Sequence, residues 1–361
     1  MKRIYYLLII QIFLLVAALD VARAGERREF YNGIRCLAMG GACIAAANDE
    51  TALLINPSGL GRLRDFYGTI IDPEVEVSSN FNKFNQASPI TQPFTLDEIK
   101  DALDANRGTY YHTKAQVFPS FVGRNFGFGI YGNYLLDAEM NSAGTEINTY
   151  YRNDLAFVLG YNFRLFDGRI KIGFNARLID RIEVDDETLD ATASTAYPDI
   201  ATGGLGLGTD ASIMISAPWT YLPTITAVLR DIGGTSFDKG SSTRMSTDEH
   251  PNTVKQDLDV GMALFPIHSN SVRSAWTIEY RGLLTSADED DKAKLIHAGL
   301  EMNFGDVFFV RAGYNQRYFT GGLELASEHF QWQLATYGEE VGTNANHKED
   351  RRYALKMAVR F

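Results

Sequence analysis

The last residues of the chain alternate without a break. Tyr353, Leu355, Met357, Val359 and Phe361 fall on one face of a strand, with Ala354, Lys356, Ala358 and Arg360 on the other, because successive strand side chains point to opposite sides. The same period of two recurs upstream. Leu155, Phe157, Leu159, Tyr161 and Phe163 oppose Ala156, Val158, Gly160 and Asn162, and Ile170, Ile172, Phe174, Ala176 and Leu178 oppose Lys171, Gly173, Asn175, Arg177 and Ile179. Val272, Ser274, Trp276, Ile278 and Tyr280 oppose Arg273, Ala275, Thr277, Glu279 and Arg281, and Ile296, Ala298, Leu300, Met302 and Phe304 oppose His297, Gly299, Glu301 and Asn303. Many of these runs reach ten residues or more. Strands of soluble proteins average about five or six, whereas a tilted membrane strand needs roughly 9–11. The length favours a membrane wall with one face toward hydrocarbon and the other toward a polar lumen.

The pattern predicts strands at about 65–80, 115–123, 126–140, 148–163, 169–183, 204–217, 220–231, 255–268, 271–284, 291–304, 306–315, 317–326, 329–340 and 350–361. That is a transmembrane antiparallel β-barrel of about fourteen strands, an even number as a bacterial barrel with both ends on one side requires. Connections are short at Phe166-Asp-Gly168 and Phe304-Gly-Asp306 and long over 81–114, 184–203 and 232–254, so the long ones belong outside the cell. Within the first long connection, Thr95 to Ala105 reads as a short helix. Thr95 stands at its N-cap, Asp97 and Glu98 lie in its first turn, and Leu96, Ile99 and Leu103 share a face. The expected position is over the barrel mouth, as a packed loop helix or as a lid.

The N-terminus changes the picture from barrel to exported barrel. Lys2 and Arg3 precede an apolar run from Ile4 to Leu19, and Ala22-Arg23-Ala24 supplies a small-x-small cleavage pattern. Residues 1–24 therefore read as a signal peptide, 25–64 as a non-barrel N-terminal segment and 65–361 as the barrel. No later segment is a continuous apolar run long enough for a membrane helix. The chain carries 18 Tyr, 22 Phe and 32 Gly with 10 Pro and 2 Cys, which suits aromatic girdles in an all-β wall. A net charge of −11 without a basic stripe argues against a nucleic-acid partner. The outer membrane of a Gram-negative bacterium is the expected location. Its lipid, and the barrel-assembly machinery that reads a terminal aromatic strand such as the one ending at Phe361, are the expected partners.

Small residues dominate from Ala38 to Ala47, and Asn56-Pro57 with Gly59 and Gly61 marks a turn or a short helix start. The run Ala38-Met-Gly40-Gly41-Ala42, then Ala45-Ala-Ala-Asn-Asp49, then Asn56-Pro57-Ser58-Gly59-Leu60 resembles the N-terminal hatch of the FadL/TodX superfamily. Ile71-Asp72-Pro73-Glu74-Val75 is similar to the start of that family's first strand. Ser58 departs from the Ala of its Asn-Pro-Ala motif. The resemblance is specific over about residues 36–76. It implies a fourteen-stranded barrel plugged by a hatch, passive uptake of hydrophobic or amphiphilic small molecules, and a hatch motif at Gly40, Gly41, Asn56, Pro57 and Gly59. It also implies a side gate in the third strand, where Gly127, Gly129 and Gly132 weaken the wall. The compact length and Leu229-Arg-Asp-Ile-Gly-Gly234 equally resemble shorter PorV-like and TraF-like relatives, so a non-transporting scaffold or shuttle of a secretion or conjugation apparatus stands as the alternative.

An anionic headgroup would need cations on the lumen face, for which Arg177, Arg273 and Arg311 are candidates; the plainer expectation is a mutually neutralising network with Glu279, Glu301 and Glu324. Cys36 and Cys43 both lie in the hatch, as a disulfide in an oxidising compartment or as two small buried thiols. The six His lack ligand spacing, no cofactor is called for, and no nucleophile and base are placed together, so an enzyme is not expected.

Overall fold

The computed structural model describes residues 29–192, 197–289, 291–343 and 346–361; the signal peptide read at 1–24 lies outside them. The wall is one antiparallel sheet closed on itself. Its strands are β1 (Tyr67–Ile71), β2 (Glu74–Ser78), β3 (Tyr111–Val117), β4 (Ser120–Gly123), β5 (Phe126–Met140), β6 (Glu146–Leu165), β7 (Ile170–Asp190) and β8 (Thr202–Ser216). They continue as β9 (Thr224–Arg230), β10 (Asp257–Leu264), β11 (Val272–Tyr280), β12 (Ile296–Phe304), β13 (Phe308–Asn315), β14 (Tyr318–Ala326), β15 (Phe330–Glu340) and β16 (Glu349–Arg360). β1 and β2 both pair with β16, and β3 and β4 both pair with β5. Each couple is therefore one wall strand broken in the middle, and the 16 segments form a barrel of 16 − 2 = 14 strands.

The two breaks lie side by side. Pro73 interrupts the first wall strand and Pro119 the second, since proline has no N–H for a ladder. β1 pairs with β4 through Thr69↔Ser120, and β2 resumes with β3 at Glu74↔Gln116. Between those points the Asp72 carboxylate accepts the Phe118 N–H at 2.5 Å in place of a ladder bond. The expected strands at 65–80 and 115–123 thus exist, each divided, and the second begins earlier, at Tyr111.

Along β5 and β6 the alternation is plain. Phe126, Phe128, Ile130, Leu155, Phe157 and Leu159 are exposed, whereas Gly127, Gly129, Ala156 and Val158 are buried inward. The wall is tallest at β6 and β7, whose ladder runs from Leu165↔Ile170 to Glu146↔Asp190. β7 continues to Asp190, so the connection expected at 184–203 is shorter. Outward-facing polar residues mark where these strands leave the apolar belt. Asp180 accepts Ser242 Oγ at 2.6 Å and Thr243 N at 3.0 Å, and Arg244 binds Asn153 Oδ1. Residues 242–244 of the long connection after β9 therefore lie over the outside of β6 and β7, while Phe237 of the same connection is buried against the lumen-facing Arg181.

The predicted helix is present, but its place differs. It spans Leu96–Ala105 and packs with Phe84 against Tyr111, Leu136, Ala138 and Met140, residues on the outer face of β3 and β5. It flanks the wall and does not cover the mouth, because those outward positions are apolar and give its Leu96–Ile99–Leu103 face a partner. Thr95 occupies the N-cap without making a side-chain cap bond.

Candidate functional site

Inside the barrel lies the N-terminal segment. Its first helix, α1 (Ile34–Ala38), ends at Met39, and Gly40 and Gly41 follow at φ +65° and +85°, in the left-handed region glycine tolerates. Cys36 and Cys43 are joined by a disulfide with Cα atoms 5.3 Å apart; the pairing left open by the sequence is closed. A second turn, α2 (Ala52–Ile55), runs into Asn56, which heads a 3-10 helix over Pro57–Arg62. Asn56 is fully buried and uses both ends of its amide. Nδ2 donates to Ile44 O at 2.7 Å and Thr226 Oγ1 at 3.0 Å, while Oδ1 accepts Ser58 Oγ at 2.6 Å and Ser58 N at 3.1 Å. Pro57 fits N1, where no N–H is needed. The geometry of a cap thus becomes a three-way tie between the Asn56–Ser58 turn, the plug backbone at Ile44 and the wall at Thr226.

Wall glycines receive this plug. A Cβ on Gly173 of β7 would stand 2.1 Å from Ser58 N and 2.2 Å from Pro57 C, and one on Gly313 of β13 2.3 Å from Gly40 N. Gly299 and Gly322 meet Met39 and Ala38 in the same way. Polar wall groups close the remaining backbone bonds. Glu279 accepts Cys43 N at 2.9 Å and Ile44 N at 3.1 Å, Thr277 donates to Ala42 O at 2.7 Å, Thr320 to Ala38 O at 2.9 Å and Asn175 to Leu53 O at 3.0 Å. Charge locks the far side. Arg35 binds Asp49 at 2.7 Å within the plug and forks onto Glu301 of the wall at 2.9 Å. Burial alone would raise the Asp49 carboxyl, but the Arg35 charge and hydrogen bonds from Thr51 and Arg35 outweigh it and hold the group well below the usual carboxylate range.

Four of the five motif residues thus sit at the plug's tightest contacts, and Gly59 packs within the plug against Ala47 and Ala52. The arginines are dispersed. Arg177 is buried on Asp210 and Asp231, with its guanidinium 4.7 Å from the Phe30 ring centre. Arg311 is spent on Glu301 and Glu324. Arg273 stands at the short-turn rim, half exposed, 3.8 Å from Asp306. Gly127 and Gly129 face inward; Gly132 faces out. The β5–β6 ladder beside them is unbroken from Phe126↔Tyr161 to Met140↔Ile147. The interruption lies one strand earlier, at Phe118-Pro119, and Gly129 serves it: a Cβ there would be 2.7 Å from the Phe118 ring. Behind the break Phe30, Tyr31, Phe118 and Tyr131 form an aromatic box, with Tyr31 and Tyr131 edge to face at 5.6 Å. Pro73 and Pro119 were the available signal for this seam.

Above the plug, toward the long connections, a cavity of about 520 Å³ opens between Glu29, Asn32, Gly41, Glu183, Arg181 and Asp257. Its charges are largely paired, as in Arg181 with Asp154 and Arg230 with Asp259. At the same rim Asp291, Glu340 and His347 lie close enough to share an ion. Arg317 occupies both oxygens of Asp291, and Tyr318, Gly342 and Lys348 occupy Glu340, so the group is an ion-pair cluster.

No protein-family profile matches the sequence, and no curated protein matches it. The architecture does have counterparts among solved structures. The TodX monoaromatic hydrocarbon channel deltaS2 mutant superposes at TM-score 0.54 with 12% identity over 92% of this chain and 98% of that one. The CymD monoaromatic hydrocarbon channel gives 0.52 at 10% over 91% and 96%, and a Pseudomonas aeruginosa FadL homologue 0.52 at 8% over 95% and 99%. The chain has the FadL/TodX-type fold. At such identities the likeness is one of fold, and it extends over nearly the whole of each of these chains.

Proposed function

We propose that this protein is a passive channel of the Gram-negative outer membrane that admits small hydrophobic or amphiphilic molecules, with the N-terminal hatch as its gate. The observation that carries the reading is the seam at Asp72-Pro73 and Phe118-Pro119, a stretch of wall without ladder bonds that separates an aromatic box inside from Ile70, Ile71 and Val117 on the lipid face. Two of the proteins sharing the fold are monoaromatic hydrocarbon channels, which agrees with this class of solute. An amphiphile would leave its polar end in the charged cavity and pass its apolar part by way of the box. Gly129, with Gly127 beside it, gives Phe118 room to turn; Gly132 sits opposite on the lipid face. Arg177, beside Phe30, offers a headgroup contact through its free Nε, whereas the Arg311 network and Arg273 at the rim serve the wall. The exposed terminal Phe361 meets Phe121 edge to face at 5.9 Å and closes the strand offered to the assembly machinery.

The test is a pair of cross-links. Thr69 and Ser120 are ladder partners at the seam, and antiparallel partners stand about 4.5–5.5 Å apart at Cα, within disulfide reach. Oxidised Thr69→Cys/Ser120→Cys should block uptake of a labelled monoaromatic hydrocarbon, and reduction should restore it. Phe128→Cys/Leu159→Cys, across the unbroken β5–β6 ladder, should leave uptake unchanged. Equal uptake in all four states refutes the seam. A second reading, the scaffold or shuttle of a secretion or conjugation apparatus, draws on the saturated ion pairs of the lumen; a stoichiometric protein partner on purification, with no hydrocarbon uptake, would select it.

A further inference from the structure

At the foot of the plug, beside the first wall strand, a second and much smaller pocket of about 10 Å³ is enclosed by Tyr31, Glu50, Gln331, Lys356 and Arg360. Three polar atoms of its lining are buried without a hydrogen-bond partner among the described residues: Tyr31 Oη, Glu50 Oε2 and Arg360 Nε. Glu50 is 1% exposed and Tyr31 9%. Two more lie at the same level of the wall, since Thr69 pairs with both Arg360 and Ser120, and the hydroxyls of Thr69 and Ser120 are likewise unpartnered. Buried polar groups in native proteins find partners. The three orphans on the pocket lining call for a ligand that all three can bind, and the Thr69 and Ser120 hydroxyls, outside that lining, for partners of their own.

The volume and the charges restrict what it is. A water molecule needs roughly 10–15 Å³ of such space and two to four polar partners. Lys356, Arg360 and Arg35 on the lining disfavour a cation, and Asp49 and Glu50 disfavour an anion. A guanidinium N–H can only donate, a carboxylate oxygen only accept, and a hydroxyl does either. Water alone matches this set by donating and accepting at once.

We propose that the foot of the plug carries a built-in water site, in which an ordered water accepts from Arg360 Nε, donates to Glu50 Oε2 and bonds Tyr31 Oη, with the Thr69 and Ser120 hydroxyls hydrated alongside. The site makes one flank of the plug wet. Along β7 and β12–β14 the plug rests on glycine backbone with no room for solvent; at the foot of β16 the proposed water stands beside the direct Glu50–Arg360 ion pair. A water-bridged contact exchanges its bonds for bulk water as it parts, whereas the dry contacts cannot. Release of the plug begins at its β1–β16 flank. The site stands whether the barrel carries solutes or partners.

A structure of the purified protein in mild detergent, at a resolution that shows waters, is the test. A peak within hydrogen-bond distance of Tyr31 Oη, Glu50 Oε2 and Arg360 Nε is expected, and in Tyr31→Phe it should be displaced or lost. A site without the peak, or a peak unmoved in Tyr31→Phe, overturns the assignment. Amide exchange checks the wet flank separately: the hydrogen-bonded amides of Leu54 and Ile55, beside the pocket, should exchange at least tenfold faster than those of Met39–Ala42, and equal rates overturn release from this side.

Discussion

Replacing Asn56 by alanine isolates the tie between plug and wall. The substitution removes the acceptor of Ser58 Oγ and the donor to Ile44 O, both buried. Ser58 N retains Ser212 Oγ at 2.8 Å, and the Thr226 hydroxyl retains Ile213 O at 2.9 Å. Two groups are therefore orphaned, at about 1–3 kcal/mol each, and a helix cap worth about 1 kcal/mol is lost. The local stability of the plug should fall by about 3–7 kcal/mol, which at about 1.4 kcal/mol per decade is roughly a hundredfold to hundred-thousandfold loss of amide protection over residues 43–62. Hydrogen exchange read by mass spectrometry in detergent measures it, since local openings are reported segment by segment, and the ladders of β11–β14 serve as internal reference. Asn56→Asp keeps the acceptor for Ser58 but turns a carboxylate oxygen toward Ile44 O, and should protect no better than alanine. A loss below tenfold in Asn56→Ala, with the barrel intact, would show that the Asn56 amide does not hold the plug.

Three further outcomes follow from the same contacts. Gly173→Val places side-chain atoms where Pro57 and Ser58 now lie and should displace the plug while sparing the wall, raising ion conductance in planar bilayers above the unsubstituted level. Asp49 contributes stability fully above the unfolded carboxylate value of about 3.9, because its folded value is depressed, and that contribution is lost as pH falls from there toward the folded value. Plug protection should therefore drop below about pH 4, and Asp49→Asn should flatten that fall; a variant with the same acid response refutes the assignment to Asp49. Replacing Cys36 and Cys43 by alanine opens a loop of sequence separation 7 and should cost the plug about 2.5 kcal/mol by chain entropy, read as earlier cleavage of the N-terminal segment by added protease.

The wall was legible because hydrocarbon imposes an apolar side chain at every second position across its whole thickness. Leu155 to Phe163 obeys that rule without exception, and so does the final strand. The breaks were written as Pro73 and Pro119 but were invisible as a pair, since nothing local says that two prolines 46 positions apart will be neighbours. The helix Leu96–Ala105 shows the other limit. Its apolar face announced that it would be buried, not that Leu136 and Ala138 on the outside of the wall would bury it. The lumen arginines pointed inward as the alternation requires, and Arg311 meets Glu301 and Glu324 on its two neighbouring strands, yet Asp231, the second partner of Arg177, comes from just beyond the end of β9, two strands away. Glu279 was read as one member of a charge network, whereas its carboxylate also caps two plug amides, a use no sequence period marks.

The ends of the wall meet where β1 pairs with β16 through Thr69↔Arg360, and the plug hangs from the N-terminal side of that joint. Its closest backbone contacts are spread over β7, β12, β13 and β14, strands made long after it in the chain. A ring that shuts around its own leading segment, touching it from most directions, closes most directly with that segment already in place. On this reading the N-terminal residues act as the mandrel on which the wall is wound, lying against the inner faces of the growing sheet before the last strand docks. Changes that loosen the plug should then reduce how many barrels are completed as well as how freely each one opens.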